Sequence, residues 1–287
     1  MKLARRQTDL EIIGKRTSFL AVRGRKTDAP VWLEDSPRCD LLSAHNIKHT
    51  GIMDARAPYE IVRVNQSGTF MMACLEGEGV VSVDGNWKPI RAGQACLLPP
   101  FVMNSLKCVP RKNWRFAWVR YDESHDTKPI VSSISPVIGA FDGTNLETAI
   151  KGLHTEALTD TPAANLHWCA LVNHYVMRFA EPSNPNERLW HLWKEVEKDP
   201  SRDWTLAQLA EIACVSSEHL RRLCLKEIGR SPMRHLTFVR LQIAVRLLTS
   251  GNEKIDTIAR AVGFSGIHSF SNSFTDYFGK RPSDFRK

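Results

Sequence analysis

Residues 210–236, AEIACVSSEHLRRLCLKEIGRSPMRHL, and residues 259–285, ARAVGFSGIHSFSNSFTDYFGKRPSDF, share one apolar skeleton. Leu206, Leu209, Ala210 and Ala213 return 49 positions later as Ile255, Ile258, Ala259 and Val262. Steps of three and four residues put each set along one side of a short helix, so the chain holds two equivalent helices that both need a partner to cover them.

Each of these helices runs into a break followed by serine, Cys214-Val215-Ser216 in the first copy and Gly263-Phe264-Ser265 in the second. A serine hydroxyl can accept a hydrogen bond from an orphan backbone N–H, which makes Ser216 and Ser265 the predicted N-caps of two further helices. Those helices carry Leu220, Leu223 and Cys224 against Phe270, Ser273 and Phe274, now at an offset of 50 because the second turn holds one extra residue. Gly229 and Gly279 stop them, and Pro232 and Pro282 open the next segment in each copy. A helix, a tight turn and a second, half-apolar helix form the helix-turn-helix layout, in which the second helix enters the DNA major groove. A duplicated helical bundle would explain either copy alone; the pair favours two DNA-reading units.

Outside the buried stripes, the first copy presents Ser217, Glu218, Arg221, Arg222 and Lys226, and the second presents Ile267, His268, Ser271, Asn272 and Thr275. Arginine can read guanine, and asparagine adenine, through paired hydrogen bonds.

The segments IARAVGFSGIHSFSNSF, FGKRPSDFR and, before them, VRLQIAVRLL closely resemble the DNA-binding domain of the AraC/XylS family of transcription regulators, and the resemblance covers the C-terminal third of the chain. It implies one long helix over residues 233–249, with Arg240, Leu241, Ala244, Leu247 and Leu248 facing two half-domains. Carried over by position, Glu218, Arg221 and Arg222 face the bases in the first motif, and Ile267, His268 and Asn272 in the second. Family members often place a basic residue where this chain has Asn272, and basic residues where it has Thr275-Asp276. Most of the affinity is therefore expected from the first motif, with Arg221, Arg222, Lys226 and Arg230. The resemblance further implies double-stranded promoter DNA and RNA polymerase as partners, a homodimer, and activation as the sign of regulation.

The front of the chain is written differently. Short apolar runs, YEIVRV, TFMMACL, GVVSV, QACLLPP and FAWVRY, succeed one another between Tyr59 and Tyr121, with breaks at Gly77, Gly79, Asp84-Gly85, Gly93 and Pro99-Pro100. That spacing predicts an antiparallel barrel or sandwich. Two helical stripes come next, over Leu146, Ile150, Leu153 and Ala157, and over Leu166, Cys169, Ala170, Asn173, Val176, Met177 and Ala180. The reading is an α+β chain with four parts: an N-terminal arm over 1–50, a sensor and dimerisation domain over 51–180, a linker over 181–186, and an all-α domain with two helix-turn-helix motifs over 187–287. Residues 187–287 hold 17 basic and 12 acidic residues, five of the eight excess positive charges of the chain.

The stretch IRAGQACLLPP, residues 90–100, resembles the second motif of cupin barrels, which implies a cupin-like fold for the front domain. Metal-dependent cupins use histidines on these strands, and the chain has none between Gly51 and Ser124. That argues against an enzyme and against any metal or other cofactor; His45 and His49 are read as surface residues outside the barrel. A small-molecule effector is expected in the barrel, with Trp118 and Trp114 as stacking candidates and Arg63 and Asn104 as polar contacts. Sugar is the class implied by cupin-bearing relatives.

Seven cysteines, Cys39, Cys74, Cys96, Cys108, Cys169, Cys214 and Cys224, show no C-x-x-C spacing and read as reduced thiols. The first segment breaks its apolar positions with charges, unlike a leader peptide, and no stretch reaches membrane-spanning length, so a cytoplasmic, nucleoid-associated protein is expected. Two rival readings remain: a thiol sensor using Cys74, Cys96 or Cys108, with Lys107 and Arg111 as nearby cations, and a metal-free cupin enzyme carrying a DNA-binding appendage.

Overall fold

The computed structural model describes residues 10–24, 30–63, 67–83, 86–124, 129–131, 137–159, 162–180 and 186–286. Its front half is built on one long strand, β5 (Phe70–Val83), which serves two sheets. The N-terminal half of β5 pairs with β7 (Gln94–Leu98) and β9 (Trp114–Tyr121), and its C-terminal half with β6 (Asn86–Arg91) and β8 (Asn104–Cys108), all antiparallel. From β9 the first sheet continues to β3 (Ile47–Ala55) and β2 (Ser18–Arg23), and β10 (Val137–Ala140) closes on β7. From β8 the second sheet continues to β4 (Tyr59–Arg63) and β1 (Leu10–Ile13).

Gly77 and Gly79 bend this strand and do not end it. The register shifts between Cys74 and Glu76, Gly77 takes φ 71°, and a Cβ there would lie 1.9 Å from the Asn113 carbonyl oxygen. A Cβ on Gly79 would lie 2.3 Å from the Trp114 indole. Bulge and glycines together let β5 cross from one sheet to the other, curling the ten strands into a cupin-like half-barrel. The 1–50 arm is corrected in the same way. Leu10–Ile13 pairs with β4 and Ser18–Arg23 with β3, so the described residues 10–24 are mostly sheet and belong to the half-barrel. Their short mixed sequences hide the alternation that marked the other strands.

The concave interior is filled by aromatic and aliphatic side chains, with Trp114, Phe116 and Trp118 all buried. On the outer face lie α1 (Thr144–Thr159) and α2 (Pro162–Ala180), which cross closely where Gly152 meets the Trp168 ring. The α2 side chains buried on the barrel are Asn165, Cys169, Val172, Val176 and Ala180. Leu166 and Ala170, placed on that stripe by their spacing, are exposed instead. The Tyr121 hydroxyl donates to Asn173 Oδ1 at 3.0 Å, holding α2 to β9.

The rest of the chain is helical: α3 (Glu187–Lys198), α4 (Leu206–Ile212), α5 (Ser217–Ile228), α6 (Pro232–Ser250), α7 (Ile255–Ala261) and α8 (Ile267–Phe278). The expected linker falls largely on 181–185, outside the described residues. Among the described residues no helix is long and apolar enough to cross a membrane.

Candidate nucleic-acid interface

The first unit is α4 and α5. Thr205 and Gln208 form a reciprocal capping box at the start of α4, which buries Leu209 and Ala210. The turn then places Cys214 at φ 53°, with Cys214 N donating to Glu211 O at 2.9 Å and Val215 N to Ala210 O at 3.0 Å. Ser216 caps α5 as its spacing predicted, accepting from His219 N at 3.2 Å. Leu220, Cys224 and Ile228 turn inward, and Gly229 in the left-handed conformation ends the helix.

The second unit repeats this geometry. Gly263 takes φ 84°, its N–H donates to Arg260 O at 2.9 Å, and Phe264 N donates to Ala259 O at 2.9 Å. These are the same bonds moved by 49 residues. The extra residue in this turn changes one detail: Gly266, not Ser265, is the N-cap of α8, and no side chain caps it. Phe270, Phe274 and Phe278 turn inward and pack with Phe285, with ring centroids 4.6–5.6 Å apart.

Between the units runs α6, residues 232–250, close to the span implied by the resemblance. Leu241, Ala244 and Leu248 are buried as expected, and Leu247 is half-buried. Arg240 Nε donates to Pro200 O at 2.9 Å and its Nη2 to Arg202 O at 2.8 Å. A Cβ on Gly263 would stand 2.7 Å from the same guanidinium. Arg240 thus sits between the loop before the first unit and the turn of the second, bonded to the one and packed against the other.

Glu218, Arg221, Arg222 and Lys226 on α5, and Ile267, His268 and Asn272 on α8, are exposed, with Ser217 and Ser271 half-exposed beside them. Glu218 holds Arg221 in a loose ion pair at 3.5 Å, and Lys226 lies 3.8 Å from Glu227. The first pair is exposed on both sides and the second on the lysine side, so both cations are easily exchanged to phosphate. Leu225, 55% exposed on the same side of α5, was missed by the sequence reading. Its signal was a leucine standing outside the 220, 223, 224, 228 stripe, and its register matches Thr275; an exposed leucine among arginines suits contact with a thymine methyl group. Arg230 corrects an expectation: its guanidinium lies over the Phe238 ring at 4.8 Å and the Tyr277 ring at 5.2 Å, where it clamps α6 to α8 and is half-buried.

The expected effector residues are brought together in two groups. Arg63 and Asn104 are cross-strand neighbours on β4 and β8, both buried; Arg63 lies over Phe70 at 4.5 Å, and Asn104 Nδ2 donates to Val102 O at 3.0 Å. Trp114 and Trp118 flank Phe116 inside the barrel, in edge-on and tilted contacts. Trp118 Nε1 donates to His49 Nδ1 at 2.9 Å, and its ring covers Gly51. His49 is therefore a buried barrel residue on β3, not a surface one. Burial, with Arg120 and Arg63 nearby, holds its imidazole neutral, well below the ordinary histidine range. The thiols of the rival reading are also corrected. Burial pushes Cys74 up to about 11, Cys108 to about 12, and Cys96 further still, so none is a ready thiolate, and Lys107 sits over the Trp87 ring at 4.1 Å.

Residues 209–287 match the family model described as "Helix-turn-helix domain". A protein of Streptomyces lividans bearing the name AraC-like transcription regulator is 36% identical over 92 residues, 32% of this chain and 30% of that protein. The C-terminal domain is similar to the helix-turn-helix domain of AraC-like regulators. The chain spans less than a third of the length of that relative. The Msm operon regulatory protein of Streptococcus mutans is 22% identical over 227 residues, 74% of this chain and 82% of that protein. Among solved structures, ToxT from Vibrio cholerae O395 aligns with 95% of this chain and 97% of its own, at a TM-score of 0.47 and 14% identity.

Proposed function

We propose that this chain is a sequence-specific transcription regulator that reads promoter DNA through α5 and α8 and is controlled by a small molecule. One observation carries the reading: two helices with the same turn geometry present exposed polar faces, with Arg240 set between their units. A joining helix of 19 residues spans about 28 Å at 1.5 Å per residue, short of the roughly 34 Å between successive major grooves on one DNA face. Simultaneous engagement of both helices therefore bends the duplex. Fluorescence anisotropy of fragments from upstream of the chain's own gene tests the core of this reading, since log K must fall linearly with log salt. Absence of any salt-sensitive binding overturns it.

Homodimerisation through the outer face of α2 fits the exposure of Leu166 at 50% and Leu171 at 37%, and sedimentation of the full chain measures it. Promoter activation with RNA polymerase is what the resemblance to AraC/XylS regulators implies. The same resemblance implies a sugar as effector, held in the barrel near Arg63 and Asn104. Trp114 and Trp118 are fixed by packing there, which leaves them little freedom to stack on a sugar ring.

A second reading is favoured by one contact. Cys39 Sγ and Cys169 Sγ lie 3.7 Å apart, both buried, and the hydrogen bond they share draws Cys39 below the ordinary thiol range and pushes Cys169 above it. A hydroperoxide would oxidise the Cys39 thiolate to a sulfenic acid, releasing an alcohol; attack by Cys169 would then close a disulfide and release water. The peroxide is reduced by two electrons and the thiol pair oxidised by two. Thiol counting after peroxide treatment decides: the pair is lost in the native chain and retained in Cys39→Ser.

A further inference from the structure

The sensor and the AraC-type domain meet across a cavity of about 150 Å³. Pro100 and Val102, after β7, bound it on one side, and α3 and α6 on the other. Its walls are mostly apolar, yet four of the residues in them hold buried polar atoms with no hydrogen-bond partner. These are Nε1 of Trp190, Nε1 of Trp193, Nδ1 of His235 and both amide atoms of Gln242. Trp193, His235 and Gln242 are more than nine-tenths buried.

Protein interiors pair nearly all such atoms, because an unpaired buried group has lost its water and gained nothing in return. A cluster of them around one cavity marks a hydrogen-bonding set that a bound molecule completes. The set has a sign. Two indole N–H groups and the Gln242 amide N–H₂ are donors, against Gln242 Oε1 as acceptor and His235 Nδ1, which in a neutral ring is one or the other, so donors are in excess. Burial keeps His235 neutral. The complement is therefore a molecule with a hydrogen-bond acceptor. Its size is set too, since an apolar cavity of about 150 Å³ accommodates a benzene ring. A sugar fits poorly, because mostly apolar walls would leave its hydroxyls without partners.

We infer that this cavity binds a compact, mainly apolar molecule of about one ring carrying a carbonyl-type acceptor, and that the bound molecule ties the sensor to the joining helix. The consequence for DNA placement rests on the regulator reading above; the binding itself does not. His235, Gln242 and Arg246 all lie on α6, the helix that sets the spacing of the two recognition helices. Occupancy fixes that helix against the sensor, and an empty cavity frees it.

Acetophenone, with ethylbenzene as a similarly sized control lacking the acceptor, is titrated against the full chain while the melting temperature is followed. Acetophenone raises it in a concentration-dependent way, and ethylbenzene binds about tenfold more weakly. Gln242→Leu lowers the acetophenone affinity toward that of ethylbenzene, and Ile243→Trp, which fills the cavity, abolishes the shift. Salt-sensitive DNA binding, measured on each variant without probe, establishes that it is folded; should Ile243→Trp fail that check, Gln242→Leu decides. A native chain that binds DNA and ignores acetophenone overturns the cavity inference and leaves the regulator reading standing, as does an unchanged response in the folded variants. A native chain that responds to acetophenone but binds no DNA supports the cavity and sinks the regulator.

Discussion

At the first turn stands Cys214 with φ 53°, at the second Gly263 with φ 84°, and the backbone bonds around them are the same. What hangs on that shared backbone differs. The α5 core is Leu220, Cys224 and Ile228, joined in one continuous cluster with the barrel interior; the α8 core is three phenylalanines packed with Phe285, α6 and α7, and touched from the front half by Met103. The α5 surface carries Arg221, Arg222 and Lys226, whereas the α8 surface carries Ile267, His268 and Asn272. Duplication kept what a helix-turn-helix needs mechanically and let each copy specialise, the first in charge and in a core continuous with the barrel, the second in an aromatic core and neutral contacts.

The aromatic core gives the largest expected effect. Phe274→Ala opens a cavity among Phe270, Phe278 and Phe285 and should cost about 3–5 kcal/mol. The equivalent change in the first unit, Cys224→Ala, removes one sulfur and should cost about 1 kcal/mol. Urea denaturation of both variants makes the test; equal costs would mean the two cores bear load alike.

Next comes pH. His235, wedged against Trp193 with ring centroids 4.2 Å apart, is pushed down to about 3 by burial, with Arg230 adding to the effect. An unfolded histidine titrates near 6.5, so between the two values the unfolded chain binds the extra proton. Stability is therefore full above about pH 6.5 and falls toward pH 3, by about 1.4 kcal/mol per pH unit for this group. His235→Phe should flatten the slope, leaving the parts due to buried His49 and to His154, whose shifts have the same sign. An unchanged slope in melting against pH would remove His235 as a source.

On DNA the two surfaces should separate by kind of effect. Arg222→Ala should weaken binding by about 1–3 kcal/mol and, if the contact is to phosphate, lower the salt slope by about one. Asn272→Ala should leave the salt slope alone and relax preference at a single base pair. Anisotropy against a set of single-base operator variants across salt distinguishes them. The assignment fails if Arg222→Ala binds normally while Asn272→Ala abolishes binding.

Much of this pairing was legible in the residues, because turns and helix stripes are local. The offsets of 49 and 50, the stops at Gly229 and Gly279, and the reach of α6 are set by neighbours within one or two helical turns. Apart from the α8 N-cap and Leu225, which are local, the failures share one cause, contact between residues from different elements. Gly77 and Gly79 look like breaks until Trp114 and Asn113 arrive from β9 and its preceding loop. His49 looks exposed until Trp118 donates to it from the next strand. Arg230 looks like a phosphate contact until Phe238 and Tyr277 offer it their rings. The interdomain cavity could not be anticipated at all, because it is lined by residues more than a hundred positions apart.

The smallest expected effect is the sharpest test of how alike the two turns are. A residue with a Cβ in the left-handed conformation carries roughly 1–2 kcal/mol of strain, which glycine does not. Cys214→Gly relieves it but gives the unfolded chain more freedom, a cost of about 0.5–1 kcal/mol. The balance is a stabilisation of about 0.5 kcal/mol, read as a small rise in the urea midpoint with unchanged slope. The opposite swap is not its mirror image. At Gly263 a Cβ would stand 2.6 Å from Pro200 O and 2.7 Å from the Arg240 guanidinium, so Gly263→Cys adds strain and also displaces Arg240. Equal and opposite shifts would show that turn geometry alone decides; a larger loss at 263 shows that the second turn also depends on its packing against Arg240.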